Sequence, residues 1–300
     1  MITSAHALVS TVAEKVALPS VYHHIRDLLA QPTASLEDFA DLILLDPALS
    51  ARLIKMVNSP FWAHYRKAET VQQAIVMTGT FQLHDLLLSS LAIRAFSTIP
   101  STIFDQESFW KSSIYCGIAA RMLAEKCRLS TKERLFTAGL LHEIGHIVMF
   151  TKLSEQVQEA LVNSIETNTP LFTQERDSLG FDYGQVGFEI MNVWDLPHSY
   201  GDIATYHLEP TLAKGNKIEI EIQIVNLARA IMLEEDHYLD RPLSVYLESN
   251  NLINNKISEQ DVIDIQIAAH LHVDDVMDCL WPFARNISQQ RPSFNMRSES

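Results

Sequence analysis

The sequence predicts an all-α protein of two packed helical halves, and three observations carry that expectation. Apolar residues recur at helical spacing along nearly the whole chain. Capping signatures open the apolar runs at intervals. Only 9 Gly and 11 Pro among 300 residues leave too few tight turns for an all-β architecture. Apolar residues make up 47% of the chain, enough to bury a sizeable core. A length about twice that of a usual single domain suits one large or two small globular units.

The elements follow in order. Val21, Ile25, Leu28 and Leu29 share one helix face. Leu36, Phe39, Ala40 and Ile43 share another, with Ser35 placed as N-cap and Asp38 at the third position. Asp46-Pro47 restarts a helix with a carboxylate cap and a proline at the first helical residue. That helix runs to Asn58-Ser59-Pro60, where Asn58 is read as a helix end tolerating a left-handed turn. Thr70 with Gln73 opens a short helix ending near Gly79, and Phe81 to Phe96 forms a strongly apolar central helix. Ile99-Pro100-Ser101 breaks the pattern and closes a first helical bundle, 1–100.

Beyond that break, a long helix is expected from Phe109 to Lys126, with Trp110, Ile114, Ile118 and Met122 on one face. Ser130 with Glu133 reads as a capping box for a helix continuing to about Phe150. Helices over 155–168, 171–179, 183–195 and 198–207 complete a second unit, 101–210. Lys214-Gly215-Asn216 is a turn into a helical extension, 211–300. Ile218 to Val225 alternates as a strand would, but Leu227 and Ala228 extend the apolar face, which favours helix. Ser258-Glu259-Gln260-Asp261 opens another helix, and the tail after Arg285 is polar and expected to fray.

Composition narrows the function. With 23 basic against 37 acidic residues the net charge is −14, which argues against a nucleic-acid partner, since phosphate binding rests on clustered Lys and Arg. Cys116, Cys127 and Cys279 have spacings that no zinc or redox motif uses, as expected of a reduced, cytoplasmic protein. Lys15 follows the N-terminal apolar residues instead of preceding them, and no 18-residue window is free of charge or strong polarity. Neither a signal peptide nor a membrane span is therefore expected.

The one dense cluster of chemical side chains is Gly139-Leu140-Leu141-His142-Glu143-Ile144-Gly145-His146. On a continuous helix His142 and His146 would share a face with Glu143 beside them, the H-E-x-x-H pattern of zinc proteases. That reading needs a third ligand, for which Glu166 or Glu175 is available, while the usual downstream Gly and His are absent. A second reading covers more of the chain. Gly139 to Gly145 is similar to the G-L-L-H-D-I-G segment of the HD-domain superfamily. Asp46-Pro47-Ala48-Leu49, Asn58-Ser59-Pro60-Phe61-Trp62 and Ala74-Ile75 through Gly79 resemble the first half of the HDOD (HD-related output domain) family. Phe109 to Ser113, Gly180 to Gly187 and Trp194-Asp195-Leu196-Pro197 resemble its second half, in order and register over about residues 14 to 210.

The resemblance implies a bacterial signalling protein with an HD-like helical core in its second half. Active members of the superfamily are metal-dependent phosphohydrolases. Carried over by position, the family's ligand histidines fall on Ser112, His142, Tyr183, Tyr206 and His207, and its aspartate falls on Glu143. Only His142 and His207 keep a histidine, and Glu143 keeps a carboxylate. A hydrolytic two-metal centre holds its ions roughly 3.5–4 Å apart with a water position open. Serine and neutral tyrosine are poor ligands for such ions. The expected function is thus a non-catalytic output or scaffold protein, binding a protein partner or a small nucleotide signal in the cleft between its halves, with no cofactor. The alternative is a phosphohydrolase holding a single Fe, Mn, Zn or Ni ion on His142, Glu143 and His207, with His146 as a further ligand.

Bland readings stand beside these. His142 also suits a buried, hydrogen-bonded imidazole, and Gly139 and Gly145 suit close helix approach. Trp110, Trp194 and Cys116 read as core residues. His23-His24 read as surface positions, and Glu234-Glu235-Asp236 and Asp274-Asp275 as solvated helix ends.

Overall fold

The computed structural model describes residues 4–62, 66–97, 99, 105–235, 242–253 and 255–281. Among them every regular element is helical. The first part of the chain forms α1 (Ala5–Ser10), α2 (Ser20–Leu29), α3 (Leu36–Leu44), α4 (Pro47–Val57), α5 (Val71–Thr78) and α6 (Thr80–Phe96). There follow α7 (Gln106–Lys126), α8 (Lys132–Leu141), α9 (Gly145–Lys152), α10 (Ser154–Thr167), α11 (Leu171–Leu179), α12 (Tyr183–Val193) and α13 (His198–Tyr206). A 3-10 turn at Pro210–Ala213 leads into α14 (Glu219–Glu235), α15 (Leu243–Ser249) and α16 (Glu259–Leu280). No described helix is long and apolar enough to cross a membrane. Pro100, Ser101, Asp236 and the tail after Arg285 lie outside the described residues.

Local signals set most helix starts. Ser35 with Asp38 and Ser258 with Asp261 form reciprocal capping boxes. Asp46 accepts from the Leu49 N–H ahead of Pro47, and Thr70 accepts from the Gln73 N–H. Ile218 to Val225 is helical, as its continuation into Leu227 and Ala228 requires. Asp274, expected at a helix end, lies inside α16 and pairs with Lys111 at 2.9 Å.

Three further expectations are corrected. The Ser130–Glu133 box does not form, because the Glu133 carboxylate is turned inward to Arg121 and to the Trp62 indole N–H at 3.2 Å. The helix expected to reach Phe150 is broken at His142–Ile144, where turn bonds such as Ile144 N–H to Leu141 O (3.1 Å) replace helical ones. Asn58 stays right-handed at φ −88. Its amide clasps both backbone groups of Ala68, donating to the carbonyl at 2.8 Å and accepting from the N–H at 2.7 Å. Asn58→Ala is accordingly expected to lower stability by about 1–3 kcal/mol. A unchanged urea midpoint in that variant would show that the clasp contributes nothing.

The long helix α7 is the axis of the second half, packed against α8, α14 and α16. A Cβ built on Gly139 would lie 3.0 Å from the Gly117 Cα, so the two glycines set the α7–α8 approach. Trp110, Cys116 and Trp194 are buried in the core. The first helix does not stay with its sequence neighbours. α1 packs on α9 and α12, and the Trp194 indole donates to Val16 O at 2.7 Å. α16 returns to α4 as well as α7, so core packing is continuous across both halves.

Candidate functional site

The break after α8 turns His142 and Glu143 into the interior, and the end of α13 delivers His207 beside them. The His142 Nδ1 faces Gly139 O at 2.6 Å, and the His207 Nδ1 faces Ala204 O at 2.9 Å and Ile203 O at 3.1 Å. A carbonyl only accepts, so each Nδ1 carries the proton and each Nε2 keeps its lone pair. Both Nε2 atoms are buried without a hydrogen-bond partner. The two rings meet edge to face at 4.9 Å. Ligand-type atoms of His142, Glu143 and His207 all lie within 4.8 Å of one another.

His146 does not join them. Because the helix is broken, the i, i+4 face that would pair it with His142 does not exist. Its ring stacks on Tyr183 at 3.8 Å instead. That loss of a common face also removes the geometric basis of the H-E-x-x-H zinc reading. Glu166 is exposed on α10. Glu175 is buried and accepts from the Tyr183 N–H at 3.0 Å, at the start of α12.

The decisive neighbour of Glu143 comes from farther along the chain. Arg229, on α14, donates through Nε to Glu143 Oε1 at 2.7 Å. Burial opposes ionisation of Glu143, yet Arg229 and the surrounding imidazoles hold its carboxyl well below the usual range. Arg229 in turn keeps its charge at neutral pH through its bond to Glu143, although burial opposes it. Burial pushes the imidazoles the other way: His146 falls to about 4, and His142 and His207 also fall. At neutral pH the cluster therefore holds one anion, one cation and two neutral imidazoles, with a neutral His146 beside it. Sequence reading missed Arg229; the available signal was a lone cation within an otherwise apolar stretch of helix, which needs a buried partner.

Glu175 carries a separate pH dependence. Burial raises its carboxyl to about 8, and Asp182 and Glu143 add to the effect. A carboxyl whose folded pKa exceeds its unfolded one contributes stability fully below the unfolded value of 4.5 and loses it as pH rises to about 8. Glu175→Gln keeps an acceptor for the Tyr183 N–H and removes the titration. The parent protein is expected to lose stability relative to this variant between pH 5 and 8, on the order of a few kcal/mol. Parallel stability profiles for the two proteins across that window would contradict it.

The donor set can be tested against the metal that an HD-type core implies. Two imidazole lone pairs favour an ion. Against it, the one carboxylate is already neutralised by a guanidinium, and the three further positions where the resemblance would put ligands carry Ser112, Tyr183 and Tyr206. Burial keeps the Tyr183 phenol protonated far above its ordinary range, so it offers no phenolate. These residues do not fit a catalytic metal centre.

An all-helical core of HD type is the class these features define. The HDOD domain matches residues 16–210, and the chain belongs to that family. An uncharacterised protein of Treponema pallidum (strain Nichols) is 24% identical over 214 residues, covering 68% of this chain and 40% of that protein. The chain thus spans less than half the length of this curated relative. Among solved structures, a provisionally named phosphohydrolase from Shewanella amazonensis SB2B superposes with a TM-score of 0.70 at 20% identity, covering 93% of this chain and 98% of that one. An HDOD domain protein of unknown function from Geobacter sulfurreducens gives 0.63 at 20% identity over 84% and 91% of the two chains. A provisionally named signal transduction protein from Marinobacter aquaeolei VT8 gives 0.64 at 19% identity, over 88% of this chain and 58% of that one. At such identities the likeness is one of fold.

Proposed function

We propose that this chain is a non-catalytic signalling protein whose work is binding. The observation that carries the reading is the Arg229–Glu143 pair, which neutralises the carboxylate a hydrolytic metal would need and engages its Oε1. A cleft between the halves supports a binding role. Its volume is about 750 Å³, and its walls come from α2, α6, α8 and α13, within the size range of small-molecule sites. One wall is a fully paired relay: the Tyr22 hydroxyl lies 3.0 Å from His84 Nε2, His84 Nδ1 lies 3.1 Å from Asp85 Oδ1, and the Tyr200 hydroxyl donates to Asp85 at 3.0 Å.

The charges lining the cleft favour a ligand without phosphate. Arg26 is paired with Asp195, and Arg134 with Glu221. No unpaired arginine or lysine is left among the described lining residues, and Asp195 and Glu133 are paired in turn with Arg26 and Arg121, which leaves Asp85 as the lining carboxylate without an arginine partner. Phe81, 71% exposed at the cleft, offers an aromatic face. A neutral or basic aromatic compound, or a partner segment presenting such a side chain, fits this chemistry better than a nucleotide.

The competing reading, a phosphohydrolase with one ion on His142, Glu143 and His207, draws on the two unpartnered Nε2 atoms. It requires Glu143 to share its carboxylate between Arg229 and the ion, or to leave Arg229. A panel of phosphoesters with Mn, Fe, Zn and Ni separates the two: no phosphate release is expected, and release abolished by His142→Ala would overturn the binding reading. In parallel, phosphate-free aromatic ligands are expected to raise the melting temperature of the parent and not of Phe81→Ala. A ligand shift unaffected by Phe81→Ala would place binding outside the cleft.

A further inference from the structure

We infer that the Arg229 guanidinium is a tethered cation standing in for the metal of an HD-type core, supplied by the C-terminal extension and bonded to Glu143. The inference deepens the non-catalytic reading above and rests on it. Its ground is the register of α14, which lies outside the family match at 16–210. Three contacts fix that register. Glu221, early in α14, pairs with Arg134 early in α8. Asn226 donates to the carbonyl of His207 at 2.8 Å, holding the backbone of the residue whose Nε2 faces the cluster. Arg229, late in α14, reaches Glu143 just past the end of α8.

A metal in such a core ties together the ligands contributed by separate helices. Here the guanidinium, by bonding Glu143, joins the α8–α9 break to α14, while Asn226 joins α14 to the end of α13. The tie is covalently part of the chain, so it needs no ion and resists chelation. It also works against an ion, because a divalent charge beside a partly buried guanidinium is repelled and has to compete with it for the carboxylate. Without the guanidinium, two imidazole lone pairs and one free carboxylate would converge, a donor set suited to a single divalent ion.

The test compares the parent, Arg229→Met and Arg229→Met/His142→Ala by calorimetric titration with Zn²⁺ and by melting temperature with Zn²⁺ or EDTA. The parent is expected to bind no ion at the cluster and to melt unchanged by either reagent. Arg229→Met is expected to bind about one Zn²⁺ per chain, at least about tenfold tighter than the parent, and to be stabilised by it. The double variant is expected to lose both effects. A folded Arg229→Met that binds no more Zn²⁺ than the parent overturns the inference. If Arg229→Met does not fold, the Arg229 Nε–H resonance of the parent decides. It should stay in place during the Zn²⁺ titration, and its loss together with shifts at His142 and His207 overturns the inference. Metal bound by the parent without phosphate release would overturn this inference alone, whereas phosphate release dependent on that metal would overturn the non-catalytic reading with it.

Discussion

Arg229→Ala is expected to destabilise the protein by about 2–3 kcal/mol, between the ranges for an exposed and a fully buried ion pair, because both side chains are partly buried. The loss comes mainly from what remains. Glu143 would keep a carboxylate in a site where burial opposes its charge and Arg229 is the largest favourable influence on it. Removing both charges should be milder, so Arg229→Met combined with Glu143→Gln is expected to recover most of the loss. Urea unfolding of the two single variants and the double variant at neutral pH isolates the coupling. A loss under about 1 kcal/mol for Arg229→Ala, the size of an exposed pair, would mean that the cluster is open to water and the pair incidental.

Gly145→Ala is the second large effect. Alanine would ordinarily favour a helix over glycine by about 1 kcal/mol, and Gly145 is the first residue of α9. Packing reverses that preference. A Cβ at this position would stand 2.0 Å from the Tyr183 carbonyl oxygen and 2.9 Å from the Gly187 nitrogen. Both are backbone atoms that no rotamer change can move, so α9 and α12 would have to separate. The expected cost is about 3 kcal/mol, at the upper end of overpacking effects. Because Tyr183 stacks on His146, the shift should also reach the histidine cluster and move its imidazole resonances. A neutral or stabilising Gly145→Ala would contradict the close α9–α12 contact.

What the sequence made legible was what local chemistry decides. The caps at Ser35, Asp46 and Ser258 need only neighbours within one turn and form as their spacing implies, while of the Thr70–Gln73 box only the Thr70 half forms, the Gln73 side chain accepting from the Glu69 N–H at 2.7 Å. The Ser130–Glu133 box obeys the same spacing and fails, because Arg121 and Trp62 compete for the carboxylate from distant elements. The break at His142 was hidden for a related reason. Nothing in Leu141-His142-Glu143-Ile144 disfavours helix, and the break comes with tertiary contacts, Gly145 against α12 and Glu143 against Arg229.

The candidate site was half legible. His142, Glu143 and His207 could be placed by family resemblance, and the fold brings them within 4.8 Å. His146, placed on one face with His142 by assuming a continuous helix, lies against Tyr183 instead. Arg229 is 86 residues from its partner and beyond the family match, so neither periodicity nor resemblance could connect the two.

The most direct test of the account is a crystal structure of the full chain grown with excess Mn²⁺, with anomalous scattering recorded at the manganese edge. The account expects the Arg229 guanidinium in contact with Glu143 and no anomalous peak among His142, Glu143 and His207. A peak bonded to both imidazoles and to the Glu143 carboxylate, with Arg229 turned away, would contradict it.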